Sequence, residues 1–319
     1  MHRLIAADWL KTGRYWLSWT LLGLMIVILV LQVNGKIDQL AELEAALASG
    51  TDVERSPLEP QTPAAEAGLI EAEWLRENLR YPAFIGYAAR LATNSGWFFL
   101  ILLTAVMGGE DFTRGTLRSL LTRGIGRGRY LIARCLTFWL VAGVGVLAVT
   151  LLAVTGGPYV HSQVTDDPIS LEGLGEALLV PLRLWLACLP YITATQFLVV
   201  LARQAGPALG VGIGLRAMEI LSGLVLPIME ILISSDADVP LIFRLEIKLF
   251  SVTIGYSAEI FLNWGQAFTE AALTASKIGL ESDMPASPWR AVAFLAGYTI
   301  LFLGGAMWVL RRRDITYKG

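Results

Sequence analysis

Charge is scarce in this 319-residue chain: Asp, Glu, Lys and Arg make up 16% of it, against 55% hydrophobic residues. That balance, together with apolar runs long enough to cross a bilayer, argues against a soluble domain and for a polytopic helical membrane protein. Residues that carry chemistry are scarcer still. There are two histidines and two cysteines. His2 and His161 lie far apart, which argues against a metal cluster, and His161 reads as an exposed loop residue. Cys135 and Cys188 fall inside apolar runs and read as small core residues rather than a disulfide framework. No nucleophile–base pair and no acid–base dyad emerges. No phosphate-binding G-x-x-x-x-G-K-[ST] occurs either: the Gly35-Lys36 pair has the wrong context, and GIGRGR at 124–129 follows no strand and lacks the lysine. The chain is therefore expected to be no enzyme and to hold no cofactor or metal. A cleavable signal peptide is also not expected, because the first apolar run is too long and lacks a small-residue cleavage site.

What is present is a series of apolar runs that predicts six transmembrane helices, at 15–33, 84–107, 130–155, 177–202, 207–233 and 289–310. An amphipathic segment, 1–14, precedes them and suits an interfacial helix, with Trp9 at headgroup depth. The stretches 1–14, 108–134, 203–206 and 311–319 carry fourteen of the twenty-five Lys and Arg residues. By the positive-inside rule those stretches, and both termini, are cytoplasmic. The segments 34–83, 156–176 and 234–288 then lie outside. In the first of them acids outnumber bases ten to four; two helices, near 37–48 and 66–79, are expected around the Pro-rich SPLEPQTP. Ile37, Leu40, Leu43 and Leu47 form an apolar stripe on the earlier one. Residues 249–268 are apolar enough to suggest a seventh crossing. Such a crossing would put the Arg311-Arg312-Arg313 triplet outside, so they read as re-entrant or interfacial helices.

The most informative stretch is 108–134, GGEDFTRGTLRSLLTRGIGRGRYLIAR. Leu117, Leu120 and Leu121 recur at helical spacing and predict a short helix with one apolar face. Thr116 is its expected N-cap and Gly124 its expected stop. Glu110 and Asp111 precede it and Arg114, Arg118, Arg123, Arg127, Arg129 and Arg134 accompany or follow it, an order that suits the helix dipole. A basic loop held on anionic lipid accounts for the arginines, but leaves the acidic start, Gly115-Thr116 and the leucine face unexplained.

The run Glu110…Gly115-Thr116-Leu117-Arg118…Leu120-Leu121…Arg127…Tyr130-Leu131…Arg134 resembles the signature of type-2 ATP-binding-cassette (ABC) permeases. It departs from that pattern at Gly124, where proline is usual, and at Arg134, where lysine is usual. The resemblance implies an export-type transporter subunit in a bacterial or archaeal cytoplasmic membrane. It also implies a second permease, identical or not, and a separate ABC ATPase, two copies of it, that holds the ATP and Mg. The loop would be the ATPase-coupling site, through Glu110, Asp111, Arg114, Gly115, Thr116, Leu117, Arg118, Leu120 and Leu121. The long external segments leave room for an external partner; no nucleic acid is implied.

One charged pair lies inside an expected crossing. Arg216 and Glu219 sit one turn apart on the same face of the fifth span. A charge near a bilayer centre costs about 2.5–3.5 kcal/mol, so both should face protein or water. They are candidates for a translocation path or gate; a self-satisfied pair that locks helix packing is the structural alternative. Two further readings of the whole chain stay open. One is a secondary transporter with this pair as its coupling charges. The other is a non-transporting anchor that relays force from an ATPase. Gly206, Gly210, Gly212 and Gly214 suggest close helix packing nearby.

Overall fold

The computed structural model describes residues 2–51, 63–233, 253–262 and 288–312, and every regular element among these residues is an α-helix. In chain order they are α1 (His2–Arg14), α2 (Trp16–Thr51), α3 (Pro63–Leu79), α4 (Ala83–Thr113), α5 (Thr116–Thr122), α6 (Arg127–Val164), α7 (Leu174–Ala202), α8 (Ala205–Ile233), α9 (Ile254–Leu262) and α10 (Pro288–Arg312). Among the described residues, five stretches are long and apolar enough to cross a membrane: Trp16–Ala48, Ser95–Thr113, Arg127–Val164, Leu174–Ala202 and Pro288–Arg312. Where the sequence places its fifth crossing, α8 is a helix of 29 residues. Of the external segment 234–288, Thr253, α9 and the first residue of α10 are described. The rest of that segment, most of the Pro-rich linker and nearly all of the tail lie outside the described residues.

The chain divides into two compact units, one formed by Leu22–Ser95 and Gly145–Leu182, the other by Met1–Leu21, Gly96–Val144 and Arg183–Gly319. The first unit is cored by Leu29, Val33 and Leu40 of α2 and Leu75 and Leu79 of α3, with Ile85 and Tyr87 of α4 and Val149 and Val160 of α6. Its sequence reading needs two corrections. No separate helix begins near residue 37, because α2 runs unbroken through Asn34 and Gly35 to Thr51. A single glycine costs a helix only about 1 kcal/mol. That cost is offset where Ile37, Leu43 and Leu47 pack against the cluster that buries Leu40. Polar contacts join the same two helices, Gln39 to Glu71 at 2.9 Å and Arg76 to Glu44 at 2.5 Å.

The second correction concerns His161. It is 4% exposed rather than a free loop residue, because α6 extends to Val164 past the expected end of its span. Its Nδ1 accepts the Tyr81 backbone N–H at 3.2 Å, and Nε2 lies 2.9 Å from the Asp167 carbonyl oxygen. Such a pattern requires the tautomer with hydrogen on Nε2. The imidazole thus ties the α3–α4 corner to the α6–α7 connection, beside an Arg80–Asp167 ion pair. His161→Ala is expected to leave the half-buried Tyr81 N–H without its acceptor, at up to about 1–3 kcal/mol for an unsatisfied group. Faster amide exchange at Tyr81, with a lowered unfolding midpoint, checks this; native exchange there would show the histidine to be dispensable.

In the second unit, α6 and α7 are clasped by Trp139 and Trp185. Their rings stack at 4.1 Å, and each indole N–H donates to the other residue's carbonyl, at 3.0 and 2.8 Å. The α7–α8 turn is only Arg203 and Gln204, with Arg203 at φ 58°. Of Gly206, Gly210, Gly212 and Gly214 in α8, Gly212 alone meets a neighbour closely among the described residues: an added Cβ would lie 2.8 Å from Ile101. Gly206, Gly210 and Gly214 have no neighbour within 4 Å of such a Cβ among the described residues.

Candidate functional site

The stretch that the sequence singled out forms an elbow, α4–α5–α6. Glu110 and Asp111 do not precede α5 as a loop; they occupy the last turns of α4, which continues to Thr113. Two residues then break the helix. Gly115 adopts φ 67°, where a side chain would be strained, and it serves as the N-cap of α5 without a side-chain hydrogen bond. Thr116 is therefore the first helical residue and not the cap. At the other end Gly124, at φ 81°, stops the helix as expected. Its N–H donates to the Leu121 carbonyl at 3.0 Å and that of Ile125 to the Leu120 carbonyl at 3.3 Å, the paired bonds of a Schellman ending. Proline at this position would lack the N–H that makes the first of those bonds.

Asp111 is the hub of the elbow. It is 2% exposed. Its Oδ1 accepts from Lys11 Nζ at 2.7 Å, and Oδ2 accepts from Tyr130 O–H at 2.7 Å and pairs with Arg134 Nη2 at 3.0 Å. Arg134 is fully buried. It also donates to the Met107 carbonyl at 2.8 Å, pairs with Asp8 at 3.2 Å and lies over the Phe138 ring. Three helices, α1, α4 and α6, thereby share one compensated charge cluster. Burial raises the Asp8 carboxyl above its ordinary 3.8, with the Arg134 guanidinium pulling the other way. Glu110 is held separately, accepting from Tyr15 O–H at 2.5 Å and pairing with Arg114 at 3.2 Å.

The apolar face of α5 is turned into the chain. Leu117 is 1% exposed, in a cluster with Tyr130 and Leu131 of α6, Val200 of α7 and Ala306, Val309 and Leu310 of α10. Leu120 and Leu121 are half-buried against the same cluster. Arg127 adds a polar tie: its Nη1 donates to the Leu310 and Arg311 carbonyls at 3.0 and 2.9 Å. Those carbonyls end α10, where a cation also meets the negative end of the helix dipole. Exposed on the elbow are Thr113, Arg114, Gly115, Ser119, Thr122, Arg123 and Arg129, a polar and basic face. Arg118 lies on α5, its side chain outside the described set.

Asp8, Lys11, Tyr15 and Tyr130 were not picked out as site residues by sequence reasoning. A signal did exist: an acid and a base three apart in the amphipathic α1, a spacing that puts both on one face.

Arg216 and Glu219 do come together, Nη1 to Oε2 at 2.9 Å, and both are largely buried. Tyr191 of α7 donates to Glu219 Oε2 at 3.1 Å, and the Gly255 N–H of α9 donates to Oε1 at 3.0 Å.

Long apolar helices and a buried charged elbow define a multi-pass helical membrane protein. The chain belongs to the ABC-2 family of transporters: the model described as ABC-2 family transporter protein matches residues 4–315. It is thus the permease component of an ABC transporter, partnered by an ABC ATPase and not itself that ATPase. No curated protein matches the chain.

Proposed function

We propose that this chain is one of two permease subunits of an exporter and that α5 receives the stroke of the separate ATPase. Six crossings with both termini on the ATPase side complete the reading, α8 being the fifth of them in chain order. The observation that carries it is the seating of Leu117. A short helix whose apolar side is fixed in a cluster with α6, α7 and α10 cannot be pushed without moving them. Asp111 extends the same rigid body to α1, and Arg127 reinforces its tie to α10. The ATPase-facing surface is then the polar side of α5 and its flanks, Arg114, Gly115, Thr116, Ser119, Thr122 and Arg123. Leu117 takes a different part: it transmits the stroke from inside the permease. Outward transport in a bacterial or archaeal cytoplasmic membrane follows the kinship of the motif. The Arg216–Glu219 region is the candidate gate. Both Glu219 oxygens are engaged within the chain, which speaks against its being the carboxylate of an ion-coupled transporter.

Co-purification of the ATPase tests the surface. The double variant Ser119→Glu, Arg123→Glu alters two exposed side chains and should leave the unfolding midpoint unchanged. It is expected to lose at least about tenfold of the ATPase that accompanies the native chain, the effect of about 1.4 kcal/mol. Equal recovery with both proteins would remove α5 as the docking helix.

A further inference from the structure

Around Glu219 the geometry is asymmetric. Oε2 is held from two sides, by Arg216 on the same helix at 2.9 Å and by Tyr191 of α7 at 3.1 Å. Tyr191 is itself stacked on Trp97 of α4 at 4.3 Å, which fixes where its hydroxyl points. Oε1 has another duty: it accepts the Gly255 N–H at 3.0 Å. Gly255 is the second residue of α9, and its N–H belongs to the first turn, which has no partner within the helix. A carboxylate there also meets the positive end of the α9 dipole. The approach is close, since a Cβ on Gly255 would lie 2.8 Å from both Arg216 Nη1 and Glu219 Oε2. Beyond that contact α9 packs on α10 and touches α8.

We propose that Glu219 is a latch, its Oε1 holding the N-terminus of α9 closed on α8. When α9 leaves, Arg216 and Tyr191 still satisfy the carboxylate through Oε2. Release therefore strands no unpaired charge, and α9 can open and return without disturbing α7 or α8. A pair that merely locked packing would not need the second oxygen committed to a separate short helix. The latch rests on this geometry alone; a part for it in releasing substrate rests on the permease reading above.

Thiol accessibility of the purified chain tests the latch without any ATPase, so its failure is separable from failure of the permease reading. Ser257, two residues beyond Gly255, is 1% exposed and gives the reporter Ser257→Cys, with Cys135→Ala and Cys188→Ala as background. N-ethylmaleimide should label it slowly when Glu219 is intact. In Glu219→Ala, labelling should be about tenfold to a hundredfold faster, the scale of losing a hydrogen bond to a charged group. Glu219→Gln keeps an acceptor for Gly255 and should fall between. Gly255→Ala attacks the latch from the other side: its methyl would press on Arg216 Nη1 and Glu219 Oε2, pushing α9 away from α8, and should also speed labelling. A control, Ala306→Cys at a position 1% exposed in the α10 cluster, should stay protected throughout. Native labelling rates in both Glu219→Ala and Gly255→Ala would overturn the latch. So would deprotection of Ala306→Cys alongside Ser257→Cys, since Glu219 would then act on the whole fold and not on α9.

Discussion

Asp111→Ala is expected to destabilise the folded chain by about 3–5 kcal/mol, the scale for removing one member of a buried ion pair. Arg134 is wholly buried and would keep Asp8, the Met107 carbonyl and the Phe138 ring. The Tyr130 hydroxyl and Lys11 would lose their acceptor as well. A lowered unfolding midpoint in detergent measures the cost. Faster tryptic cleavage at the exposed Arg14 reports the accompanying release of α1. Replacing both charges, Asp111→Leu with Arg134→Met, should recover part of the loss, because no buried cation is then stranded. Asp8→Asn should behave differently. A carboxyl whose folded pKa is raised binds its proton more tightly when folded, so its contribution to stability falls as pH rises from 3.8 through the raised value. At neutral pH its charge is a cost that Arg134 offsets only in part, and a neutral isostere is tolerated. An Asp111→Ala protein with native midpoint and native cleavage at Arg14 would refute the clustered elbow.

That contrast shows where the sequence was legible and where it was not. The leucine spacing of 117, 120 and 121 and the stop at Gly124 are local properties, and the helix they anticipated is present. Direction was not legible: a leucine face suits an internal cluster as well as a partner's groove, and the position of α10 decides for the first. Arg134 and Asp111 read as loop charges because an ion pair between residues 23 apart leaves no periodic trace. The end of the first span at Val33 was set by the charge on Lys36, yet backbone helicity does not stop where hydropathy does, and α2 continues. His161 looked exposed for a related reason, since the fold that buries it is made by Tyr81 and Asp167 from other segments. Arg216 and Glu219 were legible as a pair through their spacing. The third partner, Gly255, was not, because nothing in a glycine's neighbourhood announces a distant carboxylate.

Gly109→Ala is the second change expected to have a large effect, and its neighbour supplies the control. A Cβ on Gly109 would stand 2.5 Å from the Ala205 backbone nitrogen, 2.6 Å from its Cβ and 2.7 Å from its Cα. Backbone at the first residue of α8 cannot rotate aside, so α4 must separate from the α7–α8 turn. Overpacking of this kind costs about 1–3 kcal/mol and occasionally more; contact with backbone atoms favours the upper end. On Gly108 the same methyl would meet Gln196 Nε2 at 2.8 Å, the far end of a flexible side chain. Gly108→Ala should therefore be the milder change, its chief loss the 3.4 Å bond from Gln196 to the Thr104 carbonyl. Ala205→Gly cannot fully rescue Gly109→Ala, because it removes the Cβ contact but leaves the nitrogen and Cα where they are. Unfolding midpoints of the three proteins, Gly108→Ala, Gly109→Ala and Gly109→Ala with Ala205→Gly, are expected to fall in the order highest, lowest, intermediate. Equal midpoints for the two single variants would mean that α4 and α8 are not in backbone contact at the root of the elbow, and that the stroke received by α5 has no such route into α8.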